Sequence, residues 1–402
     1  MSTIAWVIPR LIEGSGGHRT ILQHAYALEQ AGYQCPIYIE GTGNQAKAAA
    51  TVERLFGNRF LSVRFGWDEI QPADLVMATI WYSAAIVRDL PFNCYKGYFV
   101  QDYEAMFNPM GDAYLSAENS YRYGLTPITI GSWLKHELAN RFKVPAFHIN
   151  FGVDNRIYHP LNIDRELSVC FIYQPDKPRR CSRFGVEALG IVKHNRPEVN
   201  IYLYGSPPSE KGDIWYEHEH LGLLKLEDCN ALYNRCAVGL CLSSSNPSRI
   251  PFEMMAAGLP VVEFWRENNL YDIPPDAVSL SEQTPESLAK NILRLLADND
   301  ERERMSRAGV TFMSDRPLQD ESEGFKTCVK SILEGQKPKL VVTPPLYDRP
   351  PISAEGYGMT LPTNIRKRLV LPANANLNSL PIPIRGILGW GARTARKLFL
   401  NH

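Results

Sequence analysis

The 402-residue sequence contains no run of about 18 apolar residues, the length that a membrane-spanning helix requires. Its first ten residues lack the basic start, the long apolar stretch and the small-residue cleavage site of a secretory signal peptide. The eight cysteines are scattered, mostly in apolar runs, and form no C-x-x-C pair, which favours reduced thiols. Together these absences predict a soluble, cytoplasmic protein.

Net charge is also absent, because 43 Lys and Arg balance 43 Asp and Glu. A chain without an excess of one sign has no global field that draws it to nucleic acid, so we expect no nucleic-acid partner. From Gln336 onwards, however, ten Lys and Arg face two Asp and Glu, and prolines are dense. Residues 336–402 are therefore predicted to form a Pro-rich basic extension, not a third core.

Short apolar runs alternate with helical patterns over residues 1–335, which is typical of parallel α/β sheets. The predicted strands are Ile4–Ile8, Cys35–Ile39, Asp74–Ala78, Gly97–Val100, Pro127–Ile130, Ser168–Tyr173, Asn200–Tyr204, Val238–Leu242, Pro260–Glu263 and Val278–Leu280. The segment Asn150–Pro160 has the glycine, proline and polar content of a linker. We therefore predict two Rossmann-like, doubly wound α/β domains that face a cleft, residues 1–155 and 156–335. Ser132 is predicted to cap a helix from Trp133, and a helix at Asp320–Glu334 is placed in the second domain.

A glycine-rich loop, Glu13-Gly-Ser-Gly-Gly-His-Arg19, follows the first predicted strand and opens a helix. Gly16 and Gly17 let a ligand approach bare backbone, while the N–H groups of the helix attract negative charge. The loop is not the G-x-G-x-x-G dinucleotide fingerprint, which would need a glycine near Ile21. This argues against an oxidoreductase. A tight turn without a ligand is the alternative interpretation.

Three cations, Lys177, Arg179 and Arg180, follow the first predicted strand of the second domain. Open α/β sheets bind ligands at the carboxyl ends of their parallel strands. A planar guanidinium can donate two parallel hydrogen bonds to a phosphate and stays charged near neutral pH. The spacing therefore predicts a diphosphate clamp, with a solvated surface turn as the alternative.

The stretch Ser243–Val262 combines a polar loop with a helix that starts near Pro251. Glu253 falls in the first turn, where the helix dipole favours a carboxylate. That carboxylate could accept hydrogen bonds from the sugar ring of a nucleotide, while N–H groups around Ser248–Phe252 face its phosphates. Helix-terminus electrostatics alone is the alternative explanation for Glu253.

These motifs resemble the retaining family 4 glycosyltransferases with the GT-B fold, over about residues 1–335. Four features carry the resemblance in order: the Gly16-Gly17 loop whose helix ends in Ala31-Gly32-Tyr33, the linker Gly152-Val153-Asp154 ending in Pro160, the Lys/Arg cluster, and the run Pro251–Val262. The family usually has a glutamate eight residues before Glu253, and here that position is Ser245. The two-glutamate motif of the family is therefore only half present.

Within the family, rhamnosyltransferases are the most similar in the opening Glu13–Thr20, in Phe99–Glu104 followed by Asn108–Asp112, and in Asn246-Pro-Ser before Glu253. The resemblance implies dTDP-β-L-rhamnose as donor and a growing cell-surface glycan as acceptor. It also implies that the donor lies mainly on the second domain, the acceptor mainly on the first, and that the acceptor attacks from the face that the phosphate leaves.

Under this hypothesis the catalytic residues are Asp102, Lys177 and Arg180. Asp102 would position the acceptor hydroxyl, or serve only as a loop or cap carboxylate. The predicted donor-binding residues are Gly16, Gly17, Arg179, Gly205, Ser248, Arg249, Ile250, Pro251 and Glu253. Gln101, Glu104 and His18 are further candidates, although His18 could simply begin the helix.

We expect neither a metal ion nor a cofactor besides the nucleotide-sugar substrate, because we identify no D-x-D pair of the kind that commonly holds a divalent ion on the diphosphate. The segments Asn364–Leu369 and Trp390–Leu400 combine cations with apolar residues and could make a peripheral membrane contact near a lipid-linked glycan acceptor. Three alternatives stay open: a non-catalytic glycan- or nucleotide-sugar-binding protein, a glycosyltransferase that uses a UDP- or GDP-sugar, and a sugar-phosphate enzyme such as a nucleotide-sugar epimerase.

Overall fold

The computed structural model describes residues 2–208, 214–355 and 358–362. The described chain up to residue 358 is one compact unit that contains two parallel β-sheets. The strands of the first sheet are β1 (Ile4–Ile8), β2 (Ile37–Ile39), β3 (Val63–Phe65), β4 (Leu75–Ala78), β5 (Tyr95–Val100), β6 (Thr126–Ile130) and β7 (Phe147–Ile149). Those of the second are β8 (Glu166–Ile172), β9 (Asn200–Tyr204), β10 (Glu219–His220), β11 (Cys236–Leu240), β12 (Val261–Phe264) and β13 (Val278–Ser281).

Helices cover the faces of both sheets, as expected where strands are buried on both sides. They are α1 (Gly16–Gln30), α2 (Ala48–Phe56), α3 (Trp81–Arg88), α4 (Asp112–Ser120), α5 (Ser132–Glu137), α6 (Ser182–Asn195), α7 (Leu226–Arg235), α8 (Ile250–Ala256), α9 (Asn269–Asp272), α10 (Pro285–Ala297), α11 (Asn299–Ser314) and α12 (Leu318–Leu333). Ser15 caps α1, because its side chain accepts from the N–H of His18, and Thr284 caps α10 in the same way before Pro285. No helix among the described residues has the length and apolar character that a bilayer crossing requires.

The first sheet has the order β3-β2-β1-β4-β5-β6-β7, so the chain winds outwards in opposite directions from β1 and β4. Its core is apolar throughout: all five residues of β1 are fully buried, and Trp6 stacks on Phe325 with ring centroids 5.7 Å apart. Open α/β sheets bind ligands where the strand order reverses, outside the carboxyl ends of the strands. In this sheet that point lies between the loops after β1 and β4.

The second sheet has the order β10-β9-β8-β11-β12-β13 and is also parallel. Its own reversal lies between β8 and β11, beside the loop with the three cations. Both predicted Rossmann-like domains are therefore present. The sequence analysis did not identify the short strands β3, β7 and β10, nor the helices α2, α3, α4, α9 and α11.

One helix packs against a different domain from the one predicted. The helix α12 was placed in the second domain, but it packs against the first sheet, where Phe325 stacks on His24 at 4.4 Å and contacts Phe99 edge to face at 5.0 Å. The chain crosses between the domains twice, and the crossings lie side by side: Leu318 N donates to Val153 O at 2.8 Å. A Cβ on Gly152 would lie 2.9 Å from the carbonyl oxygen of Pro317, so only glycine fits here.

The predicted cap of α5 is also corrected. The helix begins at Ser132 itself, and Asp272 of α9 accepts hydrogen bonds from the N–H groups of Ser132 (2.7 Å) and Trp133 (3.2 Å). A carboxylate from the second domain therefore caps a helix of the first. A single sequence gives no local signal for such a distant cap.

The first part of the extension, residues 336–355, follows the surface of both domains. Its backbone accepts from His136 of the first domain through Thr343 O (2.6 Å) and donates to the second from Leu346 N to Leu270 O (2.8 Å). Ile352 then forms a parallel bridge with Ser281 at the free edge of β13. The basic segments Asn364–Leu369 and Trp390–Leu400 lie outside the described residues.

Candidate functional site

The carboxyl edges of the two sheets face each other across a cleft. Asn246 of the second domain donates from its backbone N–H to Asp102 Oδ1 (2.8 Å) and from its side-chain amide to Gln101 O (3.0 Å) in the first. A second contact joins Arg19 Nη2 to Glu253 Oε1 at 2.8 Å. Two predicted site residues, Asp102 of the first domain and Glu253 of the second, thus form contacts across this cleft.

The glycine loop leaves open space in front of the first turn of α1. A Cβ on Gly16 would have no heavy atom within 4 Å, and one on Gly17 would only approach Gln101 Nε2 and Ser15 Oγ at 3.9 Å. The predicted ligand approach to bare backbone is therefore sterically possible. His18 fixes the start of the helix: its ring contacts Ser15 Oγ at 2.9 Å and Pro9 O at 3.3 Å, which supports its helix-starting role.

The three cations of the loop after β8 lie together and are partly buried. Burial lowers the pKa of the Lys177 ammonium. The charge of Asp176 opposes this shift, and the charges of Arg179 and Arg180 add to it. Arg180 Nη1 and Arg179 Nε are buried without a hydrogen-bond partner among the described residues. Cations held close together with unused donors favour binding of an anion, because an anion relieves both the repulsion and the lost hydrogen bonds.

Arg179 points towards the first domain. Its guanidinium lies over the ring of Phe107 at 4.2 Å, and its Nε is 3.8 Å from Asp102 Oδ2. Asp102 uses Oδ1 for the N–H groups of Asn246 and Tyr103, each at 2.8 Å. Asp102 therefore lies in the cleft, as expected, but it also joins the domains, which the sequence did not indicate.

Glu263 at the end of β12 is a site residue that the sequence analysis missed. Its carboxyl is fully buried, and Oε1 accepts from the N–H groups of Ser243 (3.0 Å) and Phe264 (2.8 Å), which fixes the start of the polar loop. Oε2 has no hydrogen-bond partner among the described residues. Burial raises the pKa of Glu263 to about 8, while the neighbouring Arg180 charge opposes that rise. The sequence signal that could have identified Glu263 is an acidic residue inside an otherwise apolar strand.

The loop Ser243–Arg249 contains further buried polar atoms without partners. Ser245 Oγ, at the position of the missing family glutamate, and Asn246 Oδ1 have none among the described residues, and neither has Asn268 Oδ1 beside them. The loop itself is well held, since Ser244 N donates to Arg179 O at 2.9 Å. Several unused polar groups in one rigid place are typical of a polar ligand site.

Glu253 lies in the first turn of α8, as predicted, but it is not free. Its Oε1 pairs with Arg19, whose side chain is 29% exposed while that of Glu253 is 3% exposed. Ile250 and Pro251 form the start of α8, and Ser248 Oγ lies 3.5 Å from Cys241 Sγ at its approach. The predicted segment Ser248–Glu253 thus forms the approach to α8 and its first turn.

Arg249 is the predicted donor-binding residue whose side chain is engaged elsewhere. Its guanidinium forms two hydrogen bonds with the buried Glu321 of α12, at 2.7 and 2.8 Å, and a third with Gly152 O at 2.6 Å. Glu321 also contacts His24 Nε2 at 3.0 Å. Burial raises the pKa of a carboxyl, but Arg249 and His24 outweigh it and lower the pKa of Glu321 to about 2. The Arg249 side chain therefore holds the domain crossing and is not directed at a ligand.

The remaining candidates differ in their surroundings. Gly205 follows β9 with a φ of 94°, and the neighbouring Ser206 Oγ is buried without a partner among the described residues, consistent with a ligand-facing turn. Glu104 is buried and accepts from Tyr98 OH at 2.9 Å and from Trp81 N at 2.5 Å. Burial raises the pKa of Glu104 to about 8. Glu104 therefore supports the loop after β5 from beneath.

The chain does contain one D-x-D tripeptide, Asp298-Asn299-Asp300, but it lies at the start of α11, where Asp298 caps the helix. The described residues include one group with metal-ligand spacing, His136, Glu137 and Glu267. His136 Nδ1 contacts Thr343 O, and Glu137 lies 3.5 Å from Arg141.

Residues 167–293 match the protein-family model described as WsaF, C-terminal domain. The O-antigen biosynthesis protein RfbC of Myxococcus xanthus is 28% identical over 340 residues, which cover 79% of this chain. The match covers 27% of RfbC, so the chain spans about a quarter of the length of this curated relative.

Solved structures show the fold. HepE of Anabaena in complex with UDP and glucose has a TM-score of 0.65 at 13% identity, over 82% of this chain and 100% of HepE. A glycosyltransferase from Rickettsia africae has a TM-score of 0.61 at 14% identity, over 83% of this chain and 99% of that one. The two facing parallel-sheet domains therefore form a GT-B fold.

Proposed function

We propose that this chain is a retaining, metal-independent glycosyltransferase that transfers a sugar from a nucleoside diphosphate to a cell-surface glycan precursor in the cytoplasm. The observation that carries the proposal is the cluster of Lys177, Arg179 and Arg180 at the carboxyl edge of the second sheet, where the buried Arg180 Nη1 has no hydrogen-bond partner among the described residues. The matched WsaF domain, the name of RfbC and the UDP and glucose in HepE support this reading.

In the proposed reaction the bond between the anomeric carbon and the diphosphate oxygen breaks, and a bond to the acceptor oxygen forms on the same face. Negative charge grows on the leaving phosphate, and fixed cations at that position lower the barrier. Lys177 and Arg180 supply this charge, with Gly16 and Gly17 closing from the first domain. The proton of the acceptor hydroxyl goes to an oxygen of the leaving diphosphate, so no protein nucleophile is required.

The donor is proposed to be dTDP-β-L-rhamnose. The support is the resemblance of residues 13–20, 99–112 and 246–253 to the rhamnosyltransferase WsaF, together with the matched WsaF domain. Glu253 could serve deoxyribose and ribose alike, so the base and sugar must be identified by measurement. The acceptor is proposed to be a glycan or lipid-linked glycan that binds on the first domain.

Calorimetric titration with nucleoside diphosphates and nucleotide sugars, with EDTA present throughout, tests the proposal directly. We expect dTDP and dTDP-L-rhamnose to bind best without metal. Tighter binding of UDP or GDP would support the proposed glycosyltransferase activity but contradict dTDP-L-rhamnose as its donor. A requirement for a divalent ion would contradict metal independence.

Donor hydrolysis separates a transferase from a non-catalytic binding protein of the same fold. We expect slow release of nucleoside diphosphate from the donor in the absence of acceptor, and loss of this release in Arg180→Ala. Donor that binds but is never cleaved, with or without glycan acceptors, would favour the binding protein.

A further inference from the structure

A cluster of three aromatic side chains, Trp67, Trp81 and Tyr82, lies at the carboxyl edge of the first sheet and takes no part in the site described above. The ring centroids of Trp67 and Tyr82 are 5.8 Å apart, and those of Trp81 and Tyr82 are 5.3 Å apart and nearly perpendicular. All three side chains are only partly buried. We call these three residues the aromatic platform.

The aromatic platform lies where open α/β sheets bind ligands. Trp81 and Tyr82 begin α3 directly after β4, Trp67 follows β3, and the strand order reverses between β1 and β4. Trp67 is held by a hydrogen bond from its Nε1 to Tyr38 O at 3.1 Å. The rings are therefore set rigidly at the point of the first domain where a substrate is expected.

Polar groups line one side of the aromatic platform. Tyr82 OH donates to Glu40 Oε2 at 2.9 Å, and the same oxygen accepts from Arg10 N at 3.1 Å. Burial, followed by the hydrogen bond to Glu40, raises the pKa of Tyr82, so its hydroxyl stays a donor. The exposed Arg10 guanidinium lies over Gly41, where a Cβ would be 3.4 Å from Nη2. The Glu40 carboxylate thus contacts Tyr82, and the charge of Arg10 lies close enough to act on the pKa of Tyr82.

The platform is also adjacent to the cleft. Glu104 Oε2 accepts from the backbone N–H of Trp81 at 2.5 Å, and Glu104 lies close enough to Asp102 and Arg179 for their charges to affect its pKa. The loop after β1, which carries Arg10, leads directly into the glycine loop. The platform therefore contacts Glu104, which lies near Asp102.

We propose that the aromatic platform is the acceptor subsite and binds a pyranose ring of the acceptor glycan, with Glu40 and Arg10 pairing with its hydroxyl groups. Many pyranoses have one face made of C–H bonds, whose slightly positive hydrogens are attracted to the negative face of an aromatic ring. Aromatic walls with a few placed polar groups are the usual composition of a small-ligand site. The inference rests on the proposed glycosyltransferase function and deepens it.

The test measures binding of methyl α-L-rhamnopyranoside and methyl β-D-glucopyranoside to the full chain, saturated with dTDP, by saturation-transfer NMR with irradiation of aromatic protons. Trp67→Ala and Trp81→Ala are each expected to weaken binding of at least one glycoside about tenfold, and Trp67→Phe to retain most of it. The matched control is Tyr95→Ala, which removes an exposed aromatic residue at the amino end of β5, whereas the platform lies at the carboxyl ends of the strands. Thermal unfolding of each variant checks that it folds.

The outcomes separate this inference from the proposed function. Loss of glycoside binding in the platform variants, with dTDP affinity unchanged, supports the acceptor subsite. Undiminished glycoside binding in folded platform variants overturns the acceptor subsite, as does a wild-type chain that binds neither glycoside. In both cases intact dTDP binding leaves the proposed function standing. Loss of dTDP binding in the platform variants would assign the rings to the nucleobase and also overturn the inference. A wild-type chain that binds no nucleoside diphosphate contradicts the proposed function itself.

Discussion

Arg19 of α1 and Glu253 of α8 form an ion pair across the cleft, with 2.8 Å between Nη2 and Oε1. The carboxylate predicted to recognise the sugar ring of a nucleotide is thus partly occupied by a cation of the other domain. Either Oε2 serves the nucleotide while Oε1 keeps Arg19, or the ligand replaces Arg19 at this carboxylate. In both cases nucleotide binding at Glu253 would be coupled to the position of the first domain.

Glu253→Gln is expected to weaken binding of a nucleoside diphosphate about tenfold, because a hydrogen bond to a charged group contributes roughly 1.5 to 3 kcal/mol. Binding of inorganic pyrophosphate, which has no sugar ring, should stay unchanged. Calorimetry with both ligands measures the difference. The matched control is Glu286→Gln, which neutralises a carboxylate in the first turn of α10. Equal loss of both ligands in Glu253→Gln would show that Glu253 acts on the phosphates or on the fold.

Arg180→Ala is expected to reduce sugar transfer at least about tenfold, since one charge-assisted bond that strengthens in the transition state contributes roughly 1.5 to 3 kcal/mol. Its Nη1 is buried without a partner among the described residues, so the substitution breaks no hydrogen bond of that atom. Arg183→Ala is the control, because Arg183 is 56% exposed and pairs with Glu187 one turn along α6. Initial rates at saturating donor give the comparison. Unchanged turnover in folded Arg180→Ala would remove this residue from the clamp.

Local patterns in the sequence were sufficient for ten of the thirteen strands among the described residues. The buried run Ile4–Ile8 and the loop with Gly16 and Gly17 needed only periodicity and glycine chemistry, and both lie where they were predicted. Contacts between distant segments could not be predicted in this way. Asp272 caps a helix 140 residues earlier, and Arg249 pairs with Glu321 on a helix that packs on the other domain.

The missed Glu263 illustrates a different limit. An acid in an apolar strand is visible in the sequence, but its meaning depends on which loop its carboxyl reaches. In the fold it accepts two backbone N–H groups, one of them from Ser243, and lies near Arg180. Strand order, which a single sequence does not give, placed β12 beside β11 and so brought these residues together.

Because the pKa of Glu263 is raised in the folded chain, we predict that the free energy of unfolding falls as the pH rises. Its pKa is about 8 in the folded chain and near 4.5 when exposed, so between these values the folded state holds a proton that the unfolded state has lost. The free energy of unfolding should therefore decrease from about pH 5 to about pH 8 and then level off. Glu263→Gln, which cannot ionise, should flatten this decrease, and part of it will persist because the pKa of Glu104 is also about 8.

Urea unfolding at several pH values measures this slope. The partly exposed Glu282 and its variant Glu282→Gln give the matched control, for which the wild-type slope should be retained. An identical pH dependence in wild type and Glu263→Gln would mean that Glu263 is ionised in the folded chain near pH 7. In that case the carboxylate would form an ion pair with Arg180, and Arg180 would be less available to a phosphate.

For replacement of Arg249 we predict a loss of stability without a direct loss of nucleotide contacts. Its guanidinium pairs with the fully buried carboxylate of Glu321, and removing one partner of a buried pair typically costs about 3 to 5 kcal/mol. Arg249→Met should therefore lower the free energy of unfolding by roughly that amount. In the wild type, the low pKa of Glu321, about 2, contributes stability that is present above about pH 4.5 and is lost as the pH falls towards 2. In Arg249→Met the pKa of Glu321 should rise, so this contribution should disappear.

The double variant Arg249→Met with Glu321→Leu distinguishes this structural role from ligand binding. Because both charges are removed together, the double variant should recover much of the stability that Arg249→Met loses. Nucleoside diphosphate affinity, measured where both proteins are folded, should then be close to wild type. If stability recovers while affinity stays at least about tenfold reduced, the Arg249 side chain contacts the nucleotide after all, and the crossing at Gly152 must rearrange when the donor binds.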